Sequence, residues 1–131
     1  MKARIYKRSV PTVLLYNIES MKDYRISEIC GSEGISAVHL STMNAPYSVG
    51  FLCGLEGFKG DIMDCDIPQE EAMIFSDVDR TVMNSVLDKL RAEKLTVDLK
   101  CVVTDTNKTW ALGALITELE KEHNAMHGIT Q

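Results

Sequence analysis

Several sequence patterns that mark common enzymes and cofactor sites are missing from this chain of 131 residues. Neither GxGxxG nor GxxxxGKS/T occurs, so the sequence offers no glycine-rich loop for a nucleotide phosphate. The GxSxG motif is also missing, and only three histidines could assist a catalytic Ser or Cys, namely His39, His123 and His127. The sequence therefore gives little support to nucleotide binding or nucleophilic catalysis, and it predicts no cofactor.

The chain has few cysteines, and no two of them form a CxxC pair; they are Cys30, Cys53, Cys65 and Cys101. Three of the four lie in apolar segments, where a thiol behaves as a small hydrophobic side chain. No apolar run approaches the ~20 residues of a membrane span, and the basic start is not followed by the apolar stretch of a signal peptide. Reduced thiols without a targeting segment indicate a cytoplasmic protein.

Charge is unevenly distributed in a chain whose net charge is -5. The negative total argues against a dedicated nucleic-acid-binding protein, which would carry a basic patch. Residues 1–10 are basic and without acids, and they form either a free arm or an edge strand. Residues 56–70 combine acidic side chains with Gly57, Gly60 and Pro68, as expected of a linker. The apolar fraction of 45% indicates one globular domain that spans residues 1–131.

The sequence indicates that the chain consists of two copies of one unit. A shift of 63 positions places Asn44 on Asn107 and Gly50 on Gly113, and a shift of 60 aligns the front halves of the copies. Each copy, residues 12–55 and residues 71–123, predicts strand, helix, strand and helix in that order. Such alternation is typical of βαβ units. We therefore expect an α/β fold with a four-stranded, mainly parallel sheet and pseudo-twofold symmetry, the copies being joined by an acidic linker at residues 56–70.

Several details of this fold are predicted by local signals. Ser20 and Ser76 are candidate N-caps for the first helix of each copy. Asn44 is a candidate N-cap for the second helix of the first copy, with Pro46 in its first turn, and Asn107 or Thr106 is the candidate for the last helix. A glycine costs roughly 1 kcal/mol inside a helix, so Gly50 and Gly113 predict the close approach of another helix or strand.

Polar and aromatic residues follow the second and fourth strands, where each strand leads into a helix. Ligands of open α/β sheets bind outside the carboxyl ends of the strands, and a helix start offers free N–H groups that suit a small anionic ligand. We take these two corners as the candidate ligand site, and their residues are Ser41, Thr42, Asn44 and Tyr47 at the first corner and Thr104, Asp105, Thr106, Asn107 and Trp110 at the second. The alternative is structural: the asparagines only cap helices, and the aromatic rings only anchor their first turns.

A metal site is a weaker candidate. His123 and His127 are four residues apart, and Glu120 lies about one helical turn before His123, so all three could share a helix face. Such a set can bind zinc or another transition metal. The alternative is two exposed imidazoles at a helix end, where the helix dipole favours them.

The second copy resembles the bacterial family called domain of unknown function 3783. The resemblance covers residues 71–123 and depends mainly on Thr104, Thr106, Asn107 and Trp110, followed by Leu112 and Leu115. The first copy, residues 12–55, is a degenerate version, because Pro46 and Tyr47 stand where Thr109 and Trp110 do. The resemblance implies a bacterial protein with an α/β fold, and it supplies no activity or cofactor.

Three functional hypotheses follow. The first is a non-enzymatic module that binds a small ligand or a partner protein, either at the corners or through a helix face in a homodimer. The second is a small enzyme that acts on an anionic metabolite, which would need one pocket joining both corners. The third is a metal-responsive protein that uses the C-terminal histidine pair.

Overall fold

A computed structural model describes residues 10–127, and the predicted arm or edge strand at residues 1–10 lies outside that range except for Val10. Within residues 10–127 the fold is α/β, with four strands and four α-helices. The elements in chain order are β1 (Thr12–Tyr16), α1 (Ser20–Ser32), β2 (Ser36–Leu40), α2 (Val49–Leu52), β3 (Ala72–Ser76), α3 (Arg80–Ala92), β4 (Leu99–Val102) and α4 (Leu112–His127). Single 3-10 turns, Thr42–Asn44 and Asn107–Thr109, lie between β2 and α2 and between β4 and α4.

The four strands form one mixed sheet in the order β2-β1-β3-β4. β1 is parallel to β2 and β3 is parallel to β4, but β1 and β3 are antiparallel. The prediction of a mainly parallel sheet is therefore wrong. The reason lies in the segment before β3, where the Tyr16 phenol donates to the Pro68 carbonyl at 2.8 Å and the Asn17 amide to the Gln69 carbonyl at 2.8 Å. Because these bonds begin β3 beside the carboxyl end of β1, β3 has to run in the opposite direction.

The sheet is covered by helices on both faces. Val13 and Leu15 of β1 point into a core shared with α1 and α3, while Leu14 and Tyr16 point into a second core shared with α2 and α4. Every residue of β1 and β3 is buried, which explains why both strands are almost continuously apolar. Covered and exposed residues alternate along the edge strand β4, whereas β2 has Ser36 and His39 exposed and its other three residues half-buried.

Helix α1 begins one residue earlier than its predicted cap, Ser20, implies, whereas α2, α3 and α4 begin later than predicted. Glu19 caps α1 by accepting hydrogen bonds from two backbone N–H groups, and Asp79 occupies the N-cap position of α3. Asn44 does not cap α2; it closes the 3-10 turn, and Ser48 caps a helix of only four residues. The predicted longer α2 is wrong, because the residues before Val49 are engaged in pairing with the second half of the chain.

Residues 53–71 form a strap that crosses α2 and the first turn of α4. The Met63 N–H donates to the Pro46 carbonyl at 2.9 Å, and the Cys65 thiol to the Ala45 carbonyl at 3.4 Å. Five of the six acidic side chains of the strap remain exposed, namely Glu56, Asp61, Asp64, Asp66 and Glu70. The strap is therefore fixed through its backbone while its charges face the solvent.

The strap also explains the glycines inside α2 and α4. A side chain at Gly50 would collide with the Phe58 ring, and one at Gly113 would collide with the Asp66 carbonyl and the Cys65 sulfur. The predicted close approach is confirmed at both positions, but the approaching segment is the strap and not a helix or strand. None of the helices within residues 10–127 combines the length and apolar composition needed to cross a bilayer.

Candidate binding site at the second corner

The two predicted corners lie at opposite edges of the sheet. β2 and β4 are the edge strands and run in opposite directions, so their carboxyl ends point to opposite ends of the sheet. Ser41, Thr42, Asn44 and Tyr47 follow β2, whereas Thr104, Asp105, Thr106, Asn107 and Trp110 follow β4. The corners are consequently separate places and not two walls of one site.

The polar groups of the first corner bind one another. The Asn44 Oδ1 accepts from the Ser41 N–H at 2.9 Å, and the Ser41 hydroxyl accepts from the Met43 N–H at 3.3 Å. The Tyr47 ring lies beside the Phe51 ring, with the centroids 5.6 Å apart. These contacts give the first corner a structural role as a closed turn.

At the second corner, both the oxygen and the nitrogen of the asparagine side chain form hydrogen bonds. The Asn107 Oδ1 accepts from the Thr104 N–H at 2.8 Å, and its Nδ2 donates to the Val102 carbonyl at 3.1 Å. The Thr104 hydroxyl in turn accepts from the Asn107 N–H at 3.0 Å. Asn107 therefore ties the 3-10 turn back onto the end of β4, and this tie holds the neighbouring Trp110 in place.

The segments that follow the corners meet on the face of the sheet. Ser48 and Ala111 form an isolated antiparallel bridge. The Val49 N–H donates to the Trp110 carbonyl at 3.0 Å, and the Leu112 N–H to the Tyr47 carbonyl at 2.9 Å. Ser48 and Ala111 are both buried, so backbone and packed side chains fill the seam between the corners.

A cleft of about 350 Å³ lies between β4, the second corner and α4. We call it the β4–α4 cleft, and its lining residues are Cys101, Val102, Thr104, Thr106, Asn107, Trp110, Leu115, Glu118, Leu119 and Glu122. Four of the predicted site residues, Thr104, Thr106, Asn107 and Trp110, are thus brought together in one concave surface. Asp105 belongs to the same corner but is not part of the lining.

The remaining lining residues were not predicted. Leu115, Glu118, Leu119 and Glu122 recur at intervals of three and four on α4, so the sequence does indicate that they share a helix face. That spacing does not tell which face of α4 borders the edge of β4. The spacing of these residues was therefore visible in the sequence, but the position of α4 on the sheet was needed to assign them to the cleft.

The charge around the cleft is negative. Glu118 and Glu122 are acidic lining residues, and neither has an ion-pair partner among residues 10–127. The nearest basic residue of the turn, Lys108, is paired with Asp105 at 3.0 Å. Burial, with a smaller effect from Glu122, raises the pKa of the Cys101 thiol to about 11, so this thiol is neutral at pH 7. The cleft thus combines apolar side chains with two uncompensated carboxylates.

The other thiols are similarly inactive as nucleophiles. Burial raises the pKa of Cys30 and of Cys53 to about 11, and burial together with Asp66 and Asp64 raises the pKa of Cys65. Because the thiolate is the reactive form, all four cysteines are poor nucleophiles near pH 7.

Residues 71–126 match a sequence family described as domain of unknown function (DUF3783). The match confirms the resemblance predicted for residues 71–123. No curated protein and no solved structure matches the chain. All residues that line the β4–α4 cleft lie within the matched DUF3783 segment, whereas the first corner lies outside it.

The predicted metal ligands lie beside a different cleft. Glu120 and His123 line it together with Glu70, Glu71 and Asp98, and its volume is about 390 Å³. Glu71 is already paired with Lys22 at 2.7 Å. Among residues 10–127, no group of three or more His, Cys, Asp or Glu side chains is arranged to hold a metal ion. The side chain of His127 lies outside the described part of the structure.

Proposed function

We propose that this protein is a non-enzymatic binding module whose ligand, a small molecule or a partner protein, occupies the β4–α4 cleft. The observation that carries the proposal is the composition of the cleft. Its apolar surface includes Trp110, Leu115 and Leu119, and its two acidic residues, Glu118 and Glu122, have no ion-pair partner in the described structure. Concave surfaces with an apolar lining and a few polar groups are the usual form of binding sites.

Several features favour binding over catalysis. The backbone of the turn binds the Asn107 Oδ1 and one N–H of its Nδ2, which leaves one side-chain N–H for a substrate. The cleft contains a single thiol, whose pKa is raised. The proposed enzyme would also need one pocket joining the corners, and the Ser48–Ala111 bridge fills the space between them.

The charges favour a ligand that carries positive charge. A small anionic ligand was expected from the helix starts, but at the second corner an anion would approach Glu118 and Glu122. Unpaired carboxylates repel anions and attract cations, most strongly at low ionic strength. We therefore propose a cationic ligand, or a cationic group on a partner, for this cleft.

Trp110 provides the test, because it is the only tryptophan of the chain. A panel of matched cationic, neutral and anionic ligands is titrated into the full chain while tryptophan fluorescence is recorded. We expect the cationic members to change the fluorescence in a saturable way, and Glu118→Lys to weaken that binding. Glu56→Lys, an equal charge reversal on the strap, serves as the control and leaves binding unchanged. Binding confined to anions, or an equal effect of both substitutions, would refute the proposal.

We also propose that the chain consists of two related units, residues 12–55 and 71–123, with pseudo-twofold symmetry and residues 56–70 as the linker. Strand register supports this idea: Thr12 pairs with Ser76 and Tyr16 with Ala72, so positions related by the shift of 60 exchange places. The seam supports it too, because its two backbone bonds exchange under the shift of 63. We further propose that the protein is cytoplasmic and forms a homodimer. The four unpaired cysteines favour the cytoplasm, because thiols are kept reduced there.

A further inference from the structure

The edge of β4 offers backbone groups beside the cleft. The Val103 N–H donates to the Phe75 carbonyl of β3 at 2.8 Å, so Val103 faces inwards. In a parallel strand the backbone groups of alternate residues point to the same side, which turns those of Lys100 and Val102 outwards. The Val102 carbonyl is taken by the Asn107 amide at 3.1 Å, leaving the Val102 N–H and both backbone groups of Lys100 at the edge.

The charged end of the Lys100 side chain is directed away from the cleft. Its ammonium group donates to the Val97 carbonyl at 2.7 Å, back towards the start of β4. On the other side of the strand, Cys101 faces α4 and forms part of the cleft with Leu115 and Leu119. Among residues 10–127, a strand edge without a backbone partner and an apolar cleft with two carboxylates are therefore adjacent.

We propose that the occupant of the β4–α4 cleft is an extended basic segment of a partner protein, which adds to β4 as a fifth strand. Main-chain hydrogen bonds to an open edge supply affinity in this mode of recognition, and pockets for alternate side chains supply specificity. An apolar side chain of the segment packs against Trp110 and Leu119, and a Lys or Arg two positions along, on the same face of the added strand, pairs with Glu118 or Glu122. This inference depends on the proposed function, because it names the ligand of the same cleft.

The negative charge of the cleft favours a basic segment over an acidic or neutral one. Two carboxylates four positions apart on α4 face the cleft without an ion pair in the described residues. An approaching ammonium or guanidinium group would gain charge-assisted hydrogen bonds there, whereas a carboxylate would be repelled. Asn107 closes the edge at Val102, so the added strand is short and its contribution to affinity modest.

The probe is the peptide Thr-Lys-Thr-Val-Thr-Lys with blocked ends, whose Val and two Lys side chains share one face of an extended strand; it is titrated into the ¹⁵N-labelled full chain. We expect amide shifts and slowed hydrogen exchange at Lys100 and Val102, together with a shift of the Trp110 indole N–H. The acidic counterpart, Thr-Glu-Thr-Val-Thr-Glu, should produce none of these changes. N-methylation of alternate peptide amides should abolish binding, because it removes the donors that a strand pairing needs.

The charge requirement is tested by the Glu118→Gln/Glu122→Gln variant. Each exposed ion pair contributes up to about 1 kcal/mol, so the variant should bind the basic peptide about five-fold more weakly. Asp61→Asn/Asp64→Asn changes the net charge equally on the exposed strap and should bind as the parent does. Equal effects of the two variants would overturn the assignment of the basic residue to α4.

The remaining outcomes separate this inference from the proposed function. Shifts at Trp110 without changes at Lys100 and Val102 would overturn strand addition but keep the cleft as a binding site. Shifts at Ala37 and His39 on β2 would place the peptide at the wrong edge and overturn the inference. Failure of the peptide to bind, with a small cation still binding at Trp110, would overturn the inference and leave the proposed function standing.

Discussion

The Tyr16 phenol donates a hydrogen bond of 2.8 Å to the carbonyl of Pro68, although the two residues lie 52 positions apart. Both residues are buried, and the bond attaches the end of the strap to the end of β1. Since β3 begins only four residues after Pro68, this contact helps to determine that β3 runs antiparallel to β1. Burial, with a smaller contribution from Cys65, raises the pKa of Tyr16.

Tyr16→Phe should destabilise the protein, because it leaves the buried Pro68 carbonyl without its donor. The loss should be about 1–3 kcal/mol in the free energy of unfolding, the range for one buried unsatisfied polar group. Urea unfolding monitored by circular dichroism measures it. Tyr24→Phe is the control, since Tyr24 is 67% exposed, and should change stability little. Equal stability of both variants would show that the Tyr16 bond does not fix the strap.

Gly113→Ala should destabilise the protein although alanine is the better helix former. Its added methyl group would meet the Asp66 carbonyl and the Cys65 sulfur, and overpacking of this kind typically costs about 1–3 kcal/mol. Gly31→Ala in α1 is the matched control, because no atom lies within 4 Å of its added Cβ, and it should stabilise by up to about 1 kcal/mol. The midpoints of thermal unfolding of both variants test this prediction. A higher midpoint for Gly113→Ala than for the parent would contradict the close packing of the strap on α4.

The two corner asparagines should respond differently to replacement by aspartate. Asn44 uses only its side-chain oxygen, which a carboxylate retains, so Asn44→Asp should be nearly neutral. Asn107 also donates to the Val102 carbonyl, and Asn107→Asp replaces that donor by an oxygen that repels the carbonyl. We expect a loss of about 1–2 kcal/mol for Asn107→Asp alone, measured by urea unfolding. Comparable losses at both positions would argue that the turns are held in some other way.

Acid should weaken the contact between α1 and α3. Lys89 and Ser85 lower the pKa of Glu33, and Arg25 lowers the pKa of Glu93. A carboxyl group with a lowered folded-state pKa binds fewer protons in the folded state than in the unfolded state. Its stabilisation is therefore complete above the unfolded-state pKa, about 4.3, and is lost as the pH falls through the lowered folded-state value.

The measurement is the free energy of unfolding between pH 7 and pH 3 for the parent and for Glu33→Gln/Glu93→Gln. The parent should lose stability more steeply below about pH 5, because the variant lacks both titrating groups. Glu56→Gln/Asp61→Asn removes two exposed carboxylates without ion pairs among residues 10–127 and should follow the parent. Identical pH profiles for the parent and Glu33→Gln/Glu93→Gln would show that the two ion pairs do not contribute to stability.

Local patterns were sufficient for much of the fold. The order strand, helix, strand and helix predicted for each copy is the order that the structure shows, because apolar periodicity depends on neighbours in sequence. The direction of β3 depends on the bond between Tyr16 and Pro68, a contact that no local pattern encodes. The length of α2 depends on the pairing of Ser48 with Ala111, which is equally remote in sequence.

The candidate site was predicted only in part, for a similar reason. Strand-end position and residue type singled out Thr104, Thr106, Asn107 and Trp110, which do line one cleft. The opposing wall comes from α4, and its contribution required the placement of α4 against the edge of β4. The orientation of the sheet also explains why the first corner is not a second wall: β2 and β4 end on opposite sides.

The central claim is that the protein binds its ligand in the β4–α4 cleft. The most direct measurement is the amide shift map of the full chain with the first ligand, peptide or small molecule, that binds it. The account predicts that the largest shifts fall within residues 101–122, with the Trp110 indole among them. A map centred on residues 41–47, or on the acidic cleft that includes Glu70 and Asp98, would contradict it.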